Sequence, residues 1–296
     1  MIHLLATGAS GMIGSRFREL LSGEFSLAGN IDRTQGQDIL DLPSLIAAYD
    51  KKNIDILIHF AAFTDVNAAS KQDGDLQGSC YSINVLGTQN IVRLCQHLNC
   101  RLIHISTDFV FDGKNPPAGG YTEENIPHPI EWYGKTKFLA EQAITSSSID
   151  WCIARTAYPF VASFPLKPDL VRSRIQQMKE GNLPPQFTDH TITPTFGDEL
   201  VQALILLAKN RSKGIYHLVG DSSVTDFELS RVIARVFELK NIAIEKKSLA
   251  EFNKTASRPY QQSTALSNKK FEAQFGHLFS PLRNALVKMK NQGIDG

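Results

Sequence analysis

A tyrosine and a lysine four residues apart, in Glu131-Trp132-Tyr133-Gly134-Lys135-Thr136-Lys137, are the side chains of this sequence best suited to moving a proton. On a helix that spacing puts both on one face. A free phenol titrates near ~10, too high for ready proton exchange at neutral pH, and an ammonium fixed beside it lowers that value by favouring the phenolate. Tyr133 then serves as acid or base at a carbonyl or hydroxyl oxygen. A hydroxyl is still needed to orient that oxygen. Ser106-Thr107-Asp108 follows an apolar run and delivers one; Thr107 is the first choice and Ser106 the second.

A second constellation stands at the start of the chain, in Thr7-Gly8-Ala9-Ser10-Gly11-Met12-Ile13-Gly14. Gly8 allows a tight strand-to-helix turn, Gly11 lets backbone approach a pyrophosphate, and Gly14 lets helix and strand pack closely. Unpaired amides along Ser10 to Ile13 then face the anion, helped by the helix dipole. The pattern implies a dinucleotide, NADP or NAD. Asp32, about twenty residues beyond the turn, suits the ribose hydroxyls of NAD, whereas Arg33 beside it suits a 2′-phosphate, so the preference stays open.

The elements that must position these residues are legible in the hydrophobic rhythm. Strands are expected at Ile2 to Thr7, Phe25 to Asn30, Ile54 to Phe60, Arg101 to Ser106 and Asp150 to Arg155. Between them, Ile13, Phe17, Leu20 and Leu21 form one helical face, and Ile83, Leu86, Ile91 and Leu94 approximate another. Alternating strands and helices imply an α/β fold, a Rossmann-type doubly wound parallel sheet. After about residue 156 the rhythm loosens among Pro159, Pro165, Pro168, Pro184, Pro185 and Pro194, with helices expected near Pro168 to Lys179 and Gly197 to Ala208. The expected division is a cofactor domain over 1–156 and a smaller, irregular substrate-binding region over 157–296, some segments of which return to the first. The tail after Leu282 reads as a last helix fraying into a polar end.

Several other functions are disfavoured. Thirty-one Lys and Arg against thirty Asp and Glu leave no excess charge to coat a nucleic acid. No stretch is long and apolar enough to span a membrane, and no basic leader precedes the first strand, so a cytoplasmic chain is expected. Cys80, Cys95, Cys100 and Cys152 lack metal-ligand spacing and read as reduced thiols. His3, His59 and His104 fall inside expected strands and read as core or edge histidines. Glu123-Glu124, being adjacent, is a poor carboxylate pair for glycoside cleavage. No metal ligands are assigned.

The G-x-x-G-x-x-G spacing resembles the extended short-chain dehydrogenase/reductases. That resemblance implies that Asp38-Ile39 lies beside the adenine, that Ala61, Ala62 and Thr64 form the loop under the cofactor, and that Lys137 also holds the nicotinamide ribose. Within that group the chain resembles the dTDP-4-dehydrorhamnose reductases. Ser106-Thr107-Asp108-Phe109-Val110-Phe111-Asp112-Gly113 is close to their S-T-D-Y-V-F-D-G block, with Phe109 for Tyr. Also similar are Ala61 to Ala68, Arg155 to Tyr158, Thr193-Pro194-Thr195 with Asp198-Glu199-Leu200, and Arg258-Pro259 with Ser263 and Leu266. Asn67 and Ser70 stand where the family usually has Asp and Glu.

The resemblance implies NAD(P)H-dependent reduction of a nucleotide-linked 4-keto-6-deoxy sugar, dTDP-4-dehydro-L-rhamnose to dTDP-L-rhamnose. It also allows a homodimer and a Mg2+ ion, although acidic residues matching that ion's ligands do not stand out. Two alternatives remain: another extended-family reaction, epimerisation or dehydration, and a non-catalytic subunit resembling the regulatory subunit of methionine adenosyltransferase.

Overall fold

In β1 (Ile2–Thr7), Leu4, Leu5 and Ala6 are all buried although successive side chains point to opposite faces. A strand apolar on both sides must be covered on both sides, and the computed structural model, which describes residues 1–293, shows such a sheet. The elements follow as α1 (Met12–Leu20), β2 (Phe25–Ile31), α2 (Leu42–Tyr49), β3 (Ile56–His59), α3 (Val66–Ser70) and α4 (Ser79–Tyr81). A π-helical stretch, Ser82–Gly87, runs into α5 (Thr88–Leu98), followed by β4 (Arg101–Thr107), α6 (Trp132–Thr145) and β5 (Trp151–Thr156).

A sixth strand, Gly214–His217, completes the sheet beside β5, and the order across it is that strand, β5, β4, β3, β1, β2. β1 pairs in parallel with both β2 and β3, and β3 with β4. The chain therefore moves one way from β1 to β2 and then crosses to β3 on the other side. A reversal of strand order opens a crevice at the carboxyl ends of the two strands concerned, here after Thr7 and after His59. The five expected strands lie within two residues of those observed. The sixth went unread because Gly-Ile-Tyr-His is too short to show a period.

The chain forms two compact units. The first comprises Met1–Val110, Pro127–Arg155 and Leu204–Tyr216. Its core gathers Leu5, Ile31, Leu45, Leu57, Ile91, Leu94, Leu102 and Ile153, each of which stabilises the fold by roughly 1.5–3 kcal/mol through burial. The second comprises Phe111–Ile126, Thr156–Ala203 and the chain from His217 onward. Phe160, Val171, Ile175, Phe196, Leu229, Ile233, Leu282 and Leu286 are among its core residues. The helices expected among the prolines are present as Leu170–Lys179 and Gly197–Lys209. The terminal helix spans Leu282–Asn291, and the last three residues of the expected polar tail lie outside the described residues.

In the second unit, several of the segments matched by family pattern hold the chain together. The Thr195 hydroxyl donates to the Ala157 carbonyl at 2.8 Å, and the Leu266 amide donates to the Thr193 hydroxyl at 3.2 Å. Glu199 accepts from the Ser280 amide at 3.0 Å and from Lys288 at 2.8 Å.

Candidate active site

Helix α6 begins where the Glu131 carboxylate accepts from the amides of Tyr133 (3.0 Å) and Gly134 (2.5 Å), a cap that fixes its first turn. Gly134 is required there: a Cβ would sit 2.2 Å from the Phe109 carbonyl oxygen. That close approach brings the helix onto the segment just after β4. Tyr133, Lys137 and Glu141 then recur at four-residue intervals, and all three are buried.

The Tyr133 side chain has the Thr107 hydroxyl as a hydrogen-bonding neighbour and the Phe109 ring edge-on at 5.7 Å. Burial pushes its phenol above the ordinary tyrosine value. Asp108, Glu131 and Cys80 push the same way, while the Thr107 hydroxyl pulls down. The sequence reading expected the Lys137 ammonium to lower this phenol, but it is not among the larger influences. Its Nζ donates to the Ile105 carbonyl at 2.7 Å and lies 3.0 Å from His104 Nε2. Burial lowers Lys137 from 10.5 to about 8, against the pull of Glu141 and Cys80.

The choice between the two hydroxyls has a structural basis. Ser106 Oγ donates to Glu141 at 2.5 Å, and that carboxylate also accepts from Arg155 at 2.9 and 2.6 Å. Ser106 is thus tied into a buried ion pair. Thr107 Oγ1 donates to Asp108 at 3.0 Å and sits beside the phenol.

The glycine turn has the shape a dinucleotide needs. Gly8 has φ +64°, and a Cβ there would lie 2.7 Å from the backbone of Ala61, so this turn and the loop after β3 are in close contact. A Cβ on Gly14 would lie 2.5 Å from Ala9 Cα, whereas at Gly11, which is exposed, the nearest atom would be 3.2 Å away. No side chain caps α1, so the amides of Met12 and Ile13 are left to an external acceptor. The Ala9 amide donates to Asn30 at 2.9 Å, which orients the turn.

At the end of β2, burial acts to raise the Asp32 carboxyl but is outweighed by hydrogen bonds from Thr34 and Ser10, leaving it below its usual range. Arg33 is exposed and pairs with Asp38 at 2.9 Å, and Ile39 is buried. Ala61 donates its amide to Thr7 Oγ1 at 3.1 Å; Ala62 is half-buried and Thr64 exposed.

Two contributors escaped sequence reasoning. Asn84, in the π-helical stretch, accepts from the Phe63 amide at 2.8 Å and donates to the Phe63 carbonyl at 3.2 Å and to Thr136 Oγ1 at 3.0 Å. It ties the loop after β3 to α6, and a polar residue on an otherwise apolar helical face was its only signal. His104, set aside as a core histidine, meets the Lys137 ammonium. Among the described residues no group of three or more His, Cys, Asp or Glu is placed to hold a metal ion.

A nucleotide-shaped glycine turn and a phenol, hydroxyl and lysine at the carboxyl edge of the same sheet define the class: Rossmann-fold proteins of the extended short-chain dehydrogenase/reductase type. More narrowly, residues 2–293 match the family described as the RmlD substrate binding domain, and the chain belongs to it. It is 27% identical over 303 residues to a dTDP-4-dehydrorhamnose reductase of Aggregatibacter actinomycetemcomitans, covering 98% of this chain and 99% of that one. Over 235 residues it is 28% identical to a dTDP-4-keto-6-deoxy-D-glucose reductase of Streptomyces niveus, covering 78% and 77%. The solved dTDP-4-dehydrorhamnose reductase of Bacillus anthracis, in complex with NADP, superposes with a TM-score of 0.86 at 25% identity, covering 99% and 100%.

Proposed function

We propose that this protein is an NAD(P)H-dependent reductase of a nucleotide-linked 4-keto-6-deoxy sugar, converting dTDP-4-dehydro-L-rhamnose to dTDP-L-rhamnose. The observation that carries the reading is the meeting of Thr107 and Tyr133 at the end of β4, with Lys137 one helical turn along α6, in the unit that also holds the glycine turn. The two named relatives are reductases of dTDP-linked deoxysugars, and one solved relative binds NADP.

A bound reduced nicotinamide supplies hydride to the carbonyl carbon. Thr107 orients the carbonyl oxygen by turning its one hydroxyl proton from Asp108 to that oxygen, and Tyr133 gives the oxygen its phenolic proton, leaving an alcohol. With its phenol raised by burial, Tyr133 is fully protonated at neutral pH, so the proton is in place when the carbonyl binds. Lys137 holds the nicotinamide ribose, its ammonium set in place by the Ile105 carbonyl and His104. Asp32 takes the adenosine ribose hydroxyls, Asp38 and Ile39 flank the adenine, and Ala61, Ala62 and Thr64 line the cofactor's underside. The cofactor is NAD, which Asp32 suits, or NADP, which Arg33 suits. Substrate recognition falls mainly to residues 157–296. No helix among the described residues is long and apolar enough to cross a membrane, consistent with work on a soluble substrate in the cytoplasm.

The test is oxidation of NADH and NADPH, followed at the nicotinamide absorbance, with a panel of nucleotide-linked 4-keto-6-deoxy sugars. Substrate-dependent turnover supports the reading. A tightly held cofactor with no net oxidation would point to an epimerase, and cofactor binding without any turnover would point to a regulatory subunit.

A further inference from the structure

Beneath the lysine lies a pair of buried imidazoles on neighbouring strands, His59 of β3 and His104 of β4. They face each other in register, with ring centroids 5.1 Å apart. The hydrogen bonds around His59 fix its tautomer. Thr88 Oγ1 donates to the Asn84 carbonyl at 2.7 Å, so toward His59 Nε2, 3.1 Å away, it can only accept. Thr7 Oγ1 then donates to Nδ1 at 2.6 Å. His59 is neutral with both nitrogens occupied, and burial followed by the Lys137 charge lowers its value to about 3.

His104 is fully buried and is likewise held neutral, first by burial and then by Lys137 and His59. A neutral ring facing an ammonium accepts through its lone pair, so Nε2 is the acceptor and Nδ1 carries the proton. Nδ1 meets no hydrogen-bond partner among the described residues. An apolar ring would fill this space without burying an unpaired nitrogen, so what the imidazole adds is its contact with Lys137.

We infer that His104 is a positioning residue for the reduction: its Nε2 and the Ile105 carbonyl hold two of the three N–H bonds of Lys137, so that one is left for a ligand. The inference rests on the catalytic reading of Lys137 given above. The ionisable groups that act on this ammonium are His104 and His59 from the sheet, Cys80 from α4 and Glu141 from its own helix, the last paired with Arg155 of β5, while Tyr133 lies one turn back along α6.

The test compares His104→Phe, which cannot accept a hydrogen bond, with His104→Gln, which can. His104→Phe is expected to weaken NAD(P)H binding and lower kcat/KM by about 10–100-fold. It should also move the alkaline limb of the pH profile at least about one pH unit lower, because an ammonium that loses an acceptor gives up its proton more readily. His104→Gln recovers much of both effects. In a Lys137→Met background, His104→Phe should change cofactor affinity less than about twofold, whereas a residue needed only for packing would cost the same in either background. A His104→Phe enzyme with unchanged affinity, rate and pH limb overturns the inference. A fully active Lys137→Met enzyme instead overturns the catalytic reading beneath it. Should the histidine variants fail to fold, the nitrogen-15 spectrum of the wild-type imidazole decides: protonated Nδ1 with bare Nε2 supports the inference, and protonated Nε2 overturns it.

Discussion

Replacing Glu141 by Gln removes one charge from a buried ion pair and leaves the shape nearly intact. Glu141 and Arg155 have side chains 2% and 1% exposed, and the carboxylate accepts two guanidinium bonds at 2.9 and 2.6 Å as well as the Ser106 hydroxyl at 2.5 Å. Removing one partner of such a pair costs about 3–5 kcal/mol, because the other charge stays buried without compensation. A glutamine keeps one acceptor, so the lower end applies, roughly 3 kcal/mol, or about 5–10 °C in melting temperature for a chain of this size. A second effect travels along the helix. The Glu141 charge favours the Lys137 ammonium, which burial has already brought down to about 8. Without that charge the lysine loses its proton at lower pH. Activity that needs the ammonium is present below this value and lost as pH rises through it, so the alkaline limb moves toward acid. Thermal denaturation and kcat/KM profiles between pH 6 and 10 read the two effects separately. A Glu141→Gln enzyme melting within about 1 °C of wild type, with its alkaline limb unmoved, would refute the reasoning.

Lys137→Met should stabilise the protein while disabling it. The fall from 10.5 to about 8 means that the folded state disfavours the ammonium by about 3 kcal/mol at neutral pH, a cost relieved only as pH rises from about 8 toward 10.5. An apolar replacement of similar length escapes that cost, so the melting temperature at pH 7 should rise by a few degrees while cofactor titration shows weaker binding. Gly14→Ala should cost about 1–3 kcal/mol and weaken cofactor binding at least about tenfold, since its Cβ would lie 2.5 Å from Ala9 Cα and 2.8 Å from the Gly8 oxygen. Gly23→Ala, where a Cβ meets nothing within 4 Å, is the control and should bind cofactor normally.

What the sequence made legible was local. The glycine turn, the Tyr133 and Lys137 spacing and the five strands are each written in fewer than about fifteen consecutive residues, and short-range periodicity is what a single sequence displays. What it hid depends on distant partners. Thr107 and Ser106 differ as candidates because of Glu141, thirty-five residues beyond Ser106, and Arg155, fourteen residues beyond Glu141. Nothing near residue 106 announces that pairing. His104 looked like any strand histidine until the register of β3 and β4 and the packing of α6 brought His59 and Lys137 to it. The phenol's environment was misjudged for the same reason. The helical period set Lys137 beside Tyr133, but the buried carbonyl of Ile105 and the imidazole of His104 draw its ammonium to themselves. The two compact units interleave along the chain, and consecutive composition cannot display that.

The central claim is that the Tyr133 hydroxyl supplies the proton. Tyr133→Phe keeps the ring and its edge-on contact with Phe109, so the variant should fold and titrate NAD(P)H as the wild type does. Its kcat for the nucleotide-linked keto sugar should fall by about 10²–10⁴-fold, the usual contribution of a positioned acid. A Tyr133→Phe enzyme that reduces the sugar at the wild-type rate would contradict the account.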